Sequence, residues 1–208
     1  MFQRPAERLY PIIDADVCGA HGLDPLALAL ACFRGGALVV QVRVKRGSSA
    51  AFLEVAAAIV DAARTFAAAV IVNDRADIAL MTGAAGVHVG QEDIPPDDLR
   101  PVFAGTIGVS THDETQASKA LATAADYIAV GPIFGTATKE TGYTARGLGL
   151  VSHAARGAKP VVAIGGITLD RAPDVIAAGA ASVAIISDLL TASPTSRVRA
   201  YVDQLAHV

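Results

Sequence analysis

Only two of the 208 residues are cysteine. Cys18 and Cys32 lie in or beside an alanine-rich apolar segment, and neither has a second Cys or a His at the spacing of a zinc ligand set. That argues against a metal-stapled or disulfide-built scaffold, and both are expected as buried free thiols. A basic excess is missing too: 17 Lys and Arg stand against 20 Asp and Glu, a formal charge of −3. Such a balance does not suit a nucleic-acid backbone or an anionic membrane surface, so small-molecule partners are expected. Long apolar runs are also absent. Although 52% of residues are hydrophobic, charged residues, Gly or Pro interrupt every stretch well before the roughly 20 residues of a spanning helix. The opening segment places Arg4, Glu7 and Arg8 ahead of the first apolar run, the wrong order and length for a signal peptide. A soluble, cytoplasmic protein is the expectation.

What the chain does have is alternation. Short β-branched runs of four to six residues alternate with longer alanine-rich stretches of helical composition, the pattern of repeated β-α units and a parallel sheet. The strand candidates are Leu9–Ile13, Leu38–Val42, Ala69–Val72, Gly86–Val89, Thr106–Val109, Tyr127–Val130, Val161–Ile164 and Ser182–Ile186. These runs are nearly continuous in apolar residues, so both faces of each strand should be covered, and eight of them suffice to close a ring. The fold expected is α/β, a single (β/α)8 barrel domain over residues 1–208, near the lower size limit of that architecture; an open doubly wound sheet is the alternative. Helices are predicted over Asp24–Phe33, Ser49–Phe66, Arg75–Met81, Glu114–Thr123 and Thr168–Ala178, with Asp24, Ser49 and Thr168 as N-caps and Pro25 at the first helical position. Shorter helices are expected around Leu99 and Leu150.

At the C-terminal ends of these strands stand Gln41, Arg43 and Lys45, then Asn73 and Asp74, then Gln91 to Asp93, then Ser110, Thr111 and His112. Thr136, Thr138 and Lys139 follow strand six, Gly165 and Gly166 strand seven, and Ser187 strand eight. Taken singly each is ordinary: Arg43 or Lys45 reads as a solvated charge, Asp74 as a helix cap. In a barrel all of them meet at one mouth, and that coincidence is the signal. Residues Ala163 to Thr168 run from a strand through a glycine turn into a helix start, where backbone N–H groups can approach an anion. Loops seven and eight are also the usual phosphate site of this fold. Asp74 and Asp93 offer two hard oxygen ligands suited to Mg²⁺, and Arg43, Lys45 and Lys139 carry enough charge for a pyrophosphate. The site should take two phosphorylated groups. Of the five histidines, His88 is expected inside the barrel, His112 could reach substrate, and His21, His153 and His207 are expected at the surface.

Gln41-Val42-Arg43-Val44-Lys45, Val72 to Asp77, Gly86 to Asp93, Gly108 to His112, Gly131 to Lys139 and Val162 to Ile167 together resemble the motifs of the thiamine-phosphate synthase family, in order, from Leu9 to Leu190. The resemblance implies that Gln41 holds an aminopyrimidine ring while Arg43, Lys45, Asn73 and Lys139 bind its pyrophosphate. It implies Mg²⁺ on Asp74 and Asp93, and Ser110 against the leaving pyrophosphate. Thr136 and Thr138 would lie near the thiazole phosphate, which Gly166 and Ser187 would hold. A homodimer is also implied. The family's reaction cleaves the bond to pyrophosphate first, so no protein nucleophile is required and charge stabilisation and alignment are the protein's tasks. Arg43, Lys45, Ser110 and Lys139 would carry them. Two departures stand out: Asp188 follows Ser187 where many members carry a small neutral residue, and Glu140 to Arg146 lacks a proline-containing stretch. A thiazole tautomerase, or a non-catalytic phosphate-ligand sensor on the same barrel, would share the glycine cradle but not need the metal pair.

Overall fold

A computed structural model describes residues 1–2, 7–135 and 144–208. Among them eight parallel strands pair in chain order and the eighth returns to the first, closing a barrel. The strands are β1 (Leu9–Asp14), β2 (Val39–Arg43), β3 (Ala69–Asn73), β4 (Gly86–Val89), β5 (Thr106–Thr111), β6 (Tyr127–Val130), β7 (Val161–Ile164) and β8 (Ser182–Ile185). The helices that follow them around the outside are α1 (Ala15–Ala20), α2 (Pro25–Gly35), α3 (Ser49–Thr65), α4 (Ala76–Thr82), α5 (Pro96–Leu99), α6 (Glu114–Leu121), α7 (Gly147–Ala154), α8 (Ala172–Ala177) and α9 (Pro194–Leu205). This is the (β/α)8 architecture, not the open sheet. Among the described residues no helix is long and apolar enough to cross a membrane.

Buried side chains fall into two groups. The larger fills the annulus between barrel and helices and includes Val40, Val42, Val70, Val72, Val87, Val89, Phe52 and Ile59. The smaller, with Phe2, Tyr10, Ile12, Val39, Ile71, Tyr127, Ala129, Val162 and Ala184, fills the barrel itself. Strand residues alternate between the two, as the pleat requires. Each apolar run therefore conceals a period of two.

The interior is not uniform. On β2 to β5 it carries Gln41, Asn73, His88 and Ser110, whereas β6 to β8 supply Ala129, Val162, Ile164 and Ala184. Asn73, His88, Gly108 and Tyr127 sit in register across four neighbouring strands. A Cβ on Gly108 would collide with the Tyr127 ring, so glycine is what lets that large ring lie inside. Phe2 closes the other end of the interior, its ring 5.7 Å from Tyr10 and 5.1 Å from Tyr127.

Local signals explain the helix starts. Asp24 caps α2 by accepting from the Ala27 N–H at 2.9 Å, with Pro25 at the first helical position. For α3 the cap is Ser48 rather than Ser49: its hydroxyl accepts from the Ala51 N–H, and Ser49 is already helical. Thr168 precedes a short 3-10 turn and makes no side-chain cap bond. Asp74 does not cap α4 either; it adopts a left-handed backbone, φ 62°, and turns its carboxylate to Lys45. Both cysteines are buried free thiols.

Candidate active site at the barrel mouth

Three hollows meet at the C-terminal end of the strands, and Arg43 lines all of them. One of about 320 Å³ is bounded by Arg43, Lys45, Asn73, Asp74, Gly90 to Asp93, Ser110 and His112. A wider one of about 580 Å³ runs past Asp14, Asp16, His21, Arg43, Lys45, Arg46 and Ser187. Beneath them a narrow hollow of about 50 Å³ descends between Tyr10, Gln41, Asn73, His88 and Ser110 on one side and Ala129, Val162, Ile164 and Ala184 on the other. Gly166 lines none of the three. Thr136, Thr138 and Lys139 lie outside the described residues.

The charges at the mouth come in pairs. Arg43, at the end of β2, forms an ion pair with Asp14 at the end of β1, and the two residues are in register. The other oxygen of Asp14 accepts from the N–H groups of Asp16 and Val17, both at 3.1 Å, capping α1. One buried carboxylate thus starts a helix and aims a guanidinium. The Lys45 ammonium pairs with Asp74. Asp93 accepts from the Gly90 N–H at 2.7 Å. Burial pushes the Asp93 carboxyl up; the Gly90 N–H opposes this, and the neighbouring Asp74 charge adds to the rise. Asp74 and Asp93 thus present two hard carboxylate oxygens on one hollow, the donor type a divalent cation such as Mg²⁺ takes together with water and phosphate oxygens.

Asn73 reaches the mouth with its Nδ2 buried and unpartnered by any described residue. A buried amide N–H₂ without an acceptor is costly unless a ligand supplies one. Ser110 lies 2.9 Å from Nε2 of His88, and the Gln91 amide donates to the Ser110 carbonyl at 2.6 Å. His112 sits beside them, its Nδ1 2.8 Å from the Gly131 carbonyl.

On the far side, Gly165 and Gly166 adopt φ 106° and 61°. A Cβ on either would strike the loop after β6, at Pro132 and at the Gly135 carbonyl respectively. That loop is stitched down by Ile133 N–H to Ile164 carbonyl at 2.9 Å and Phe134 N–H to Gly165 carbonyl at 3.0 Å. The glycines thus serve close packing of two loops as well as the turn itself. Asp188 turns away from the mouth: Arg197 of α9 grips both its oxygens, and the Tyr201 hydroxyl donates to it. Burial, and then the adjoining carboxylate, push the Tyr201 phenol far up.

Residues 9–189 match the profile of the family described as thiamine monophosphate synthase. The chain belongs to the thiamine-phosphate synthase family. A thiamine-phosphate synthase of Chloroflexus aurantiacus is 41% identical over 187 residues, 89% of this chain and 86% of that one. One from Thermus thermophilus is 40% identical over 186 residues, 88% of each. Among solved structures, a thiamine phosphate pyrophosphorylase from Pyrococcus furiosus superposes with a TM-score of 0.87 at 25% identity over 98% of both chains. A member of this family is a transferase of thiamine biosynthesis, and the barrel found here is the fold of that relative.

Two features of the site escape a reading of motifs. Asp14 stands one residue beyond the first apolar run, at the same end as the other site residues, and that position was its only signal. His88 is inside the barrel as expected, but its contact with Ser110 depends on strand register, which composition does not reveal.

Proposed function

We propose that this chain joins 4-amino-2-methyl-5-hydroxymethylpyrimidine pyrophosphate to thiazole phosphate, forming thiamine phosphate and releasing pyrophosphate. The observation that carries the reading is the convergence of Arg43, Lys45, Asn73, Asp74, Asp93 and Ser110 on one 320 Å³ hollow, in a member of this family. Ionisation of the pyrimidine methylene carbon leaves the electron pair on the pyrophosphate oxygen and a cation delocalised into the aminopyrimidine. Attack by the thiazole nitrogen then forms the new C–N bond. Arg43 and Lys45 offset the charge gathering on the leaving group, with Lys139 assigned the same task by the resemblance. Asn73 offers its buried Nδ2, unpartnered among the described residues, and Ser110 a hydroxyl. Asp74 and Asp93 would hold Mg²⁺, which would supply Lewis-acid chemistry to the departing group. The apolar wall of β6 to β8 keeps water from the cation, while Ser187, on the wider hollow, takes the second substrate's phosphate; the resemblance assigns Gly166, Thr136 and Thr138 to the same group.

Removing one positioned donor from such a site costs on the order of 10²–10³ in rate. Family membership supports a cytoplasmic homodimer as the working form. The test is pyrophosphate release by the purified protein with both substrates, with Mg²⁺ present and after chelation. Release that needs both metal and thiazole phosphate, with thiamine phosphate as product, is expected. Binding of thiazole phosphate without release would move the reading to the tautomerase or the sensor.

A further inference from the structure

Below the mouth, a file of hydrogen-bonded polar groups crosses the barrel interior. Gln41 Nε2 donates to the Tyr10 hydroxyl at 3.2 Å, which is 3.0 Å from the Tyr127 hydroxyl. That hydroxyl is 2.9 Å from His88 Nδ1, and His88 Nε2 is 2.9 Å from Ser110 Oγ. Gln41, Tyr10, Tyr127 and His88 are all buried. The file thus joins Gln41 to Ser110, one residue assigned to the pyrimidine ring and one to the leaving group, through three residues without an assigned role.

We infer that this chain of hydrogen bonds has one polarity, and that His88 and Tyr127 are positioning residues which turn the Ser110 hydroxyl proton into the hollow. The inference rests on the functional reading above. An amide nitrogen only donates, so Tyr10 accepts from Gln41. A buried phenol proton left without an acceptor is costly, so the Tyr10 O–H donates to Tyr127 and the Tyr127 O–H to His88 Nδ1. His88 therefore carries its proton on Nε2 and donates to Ser110. The serine proton is left to point outward as a donor to an anion. At the other end the Gln41 amide nitrogen is turned to Tyr10, so its carbonyl oxygen is turned to the hollow, an acceptor for an exocyclic amine. Reversing the file would reverse both ends together: an amide donor would face the amine and a hydroxyl acceptor the pyrophosphate. One polarity suits both halves of the pyrimidine substrate and the other suits neither. With its Nε2 protonated, His88 cannot act as a base on Ser110, so the pair is not a nucleophilic dyad.

Two measurements test this. In the ¹⁵N-labelled protein without substrate, two-bond ¹H–¹⁵N correlation should show His88 as the Nε2–H tautomer, assigned by the signal lost in His88→Gln. The Nδ1–H tautomer would overturn the proposal. In turnover, Tyr127→Phe should lower kcat about five- to tenfold, the scale of one buried hydrogen bond, and leave the KM for thiazole phosphate unchanged. In a Ser110→Ala background the same substitution should do nothing further to kcat. Additive losses would mean that Tyr127 supports the barrel generally, and would also overturn the proposal. A wild-type protein releasing no pyrophosphate would count against the functional reading alone, because the tautomer is read without substrate.

Discussion

Asp14 concentrates two duties in one carboxylate, and its substitutions separate them. Asp14→Asn keeps an oxygen for the Asp16 and Val17 N–H groups but loses the charge that holds Arg43. It should raise the KM for the pyrimidine pyrophosphate about tenfold, with little change in melting temperature. Asp14→Ala also gives up the cap, costing about 1 kcal/mol more, and should show the same kinetic defect with lower stability in urea. Equal kinetics for Asn and wild type would show that Arg43 needs no partner to aim it. The cysteines offer a second test at this scale. Burial pushes the Cys18 thiol up to about 11 and that of Cys32 to about 12, against 9.0 for the free group. In the native protein both remain protonated while an unfolded chain begins to lose protons near pH 9, so stability is complete below that pH and falls as it rises further. Neither thiol should react with a disulfide reagent at neutral pH until denaturant is added.

At the level of elements, α9 acts on the mouth through Asp188. Arg197 and Tyr201 draw that carboxylate off the turn that begins at Ser187. Arg197→Ala should leave an unbalanced negative charge beside the proposed phosphate position. We expect the KM for thiazole phosphate to rise about tenfold and Asp188→Asn in the same chain to restore it, as steady-state kinetics with varied thiazole phosphate would show. Failure of the double variant to recover would mean that α9 serves only packing. The elements also show what the sequence reveals and what it conceals. Strand cores were legible because both faces are apolar. Their ends were not: β1, β2, β3 and β5 continue into Asp14, Arg43, Asn73 and Ser110–Thr111, polar residues kept in the ladder by their neighbours' hydrogen bonds. Helix α9 is polar on average, and only Val198, Tyr201 and Leu205 mark its buried side. Helix α1 is too short to carry a period and depends on Asp14. The set of residues around the 320 Å³ hollow was readable from their common place after strands. The pairings within it were not, because they depend on which strands stand side by side.

For the molecule as a whole, the interior divides into a polar half on β2 to β5 and an apolar half on β6 to β8. Phe2 is buried against Tyr10 and Tyr127, a plug at the end opposite the mouth. Phe2→Ala should open space under the narrow hollow and cost about 3–5 kcal/mol if nothing refills it. The more informative result is in the products: the variant should yield more hydroxymethylpyrimidine relative to thiamine phosphate, measured by chromatography of a single turnover.

That ratio gives the apolar half of the barrel a meaning in kinetic terms. In the dissociative reaction proposed above, a carbon cation formed beside Ala129, Val162, Ile164 and Ala184 would face two competing captors, its fate a branching ratio fixed by how many solvent molecules stand within reach at the moment the bond breaks. Under that mechanism, the aliphatic strands set the yield of the reaction, while the charged strands set its speed.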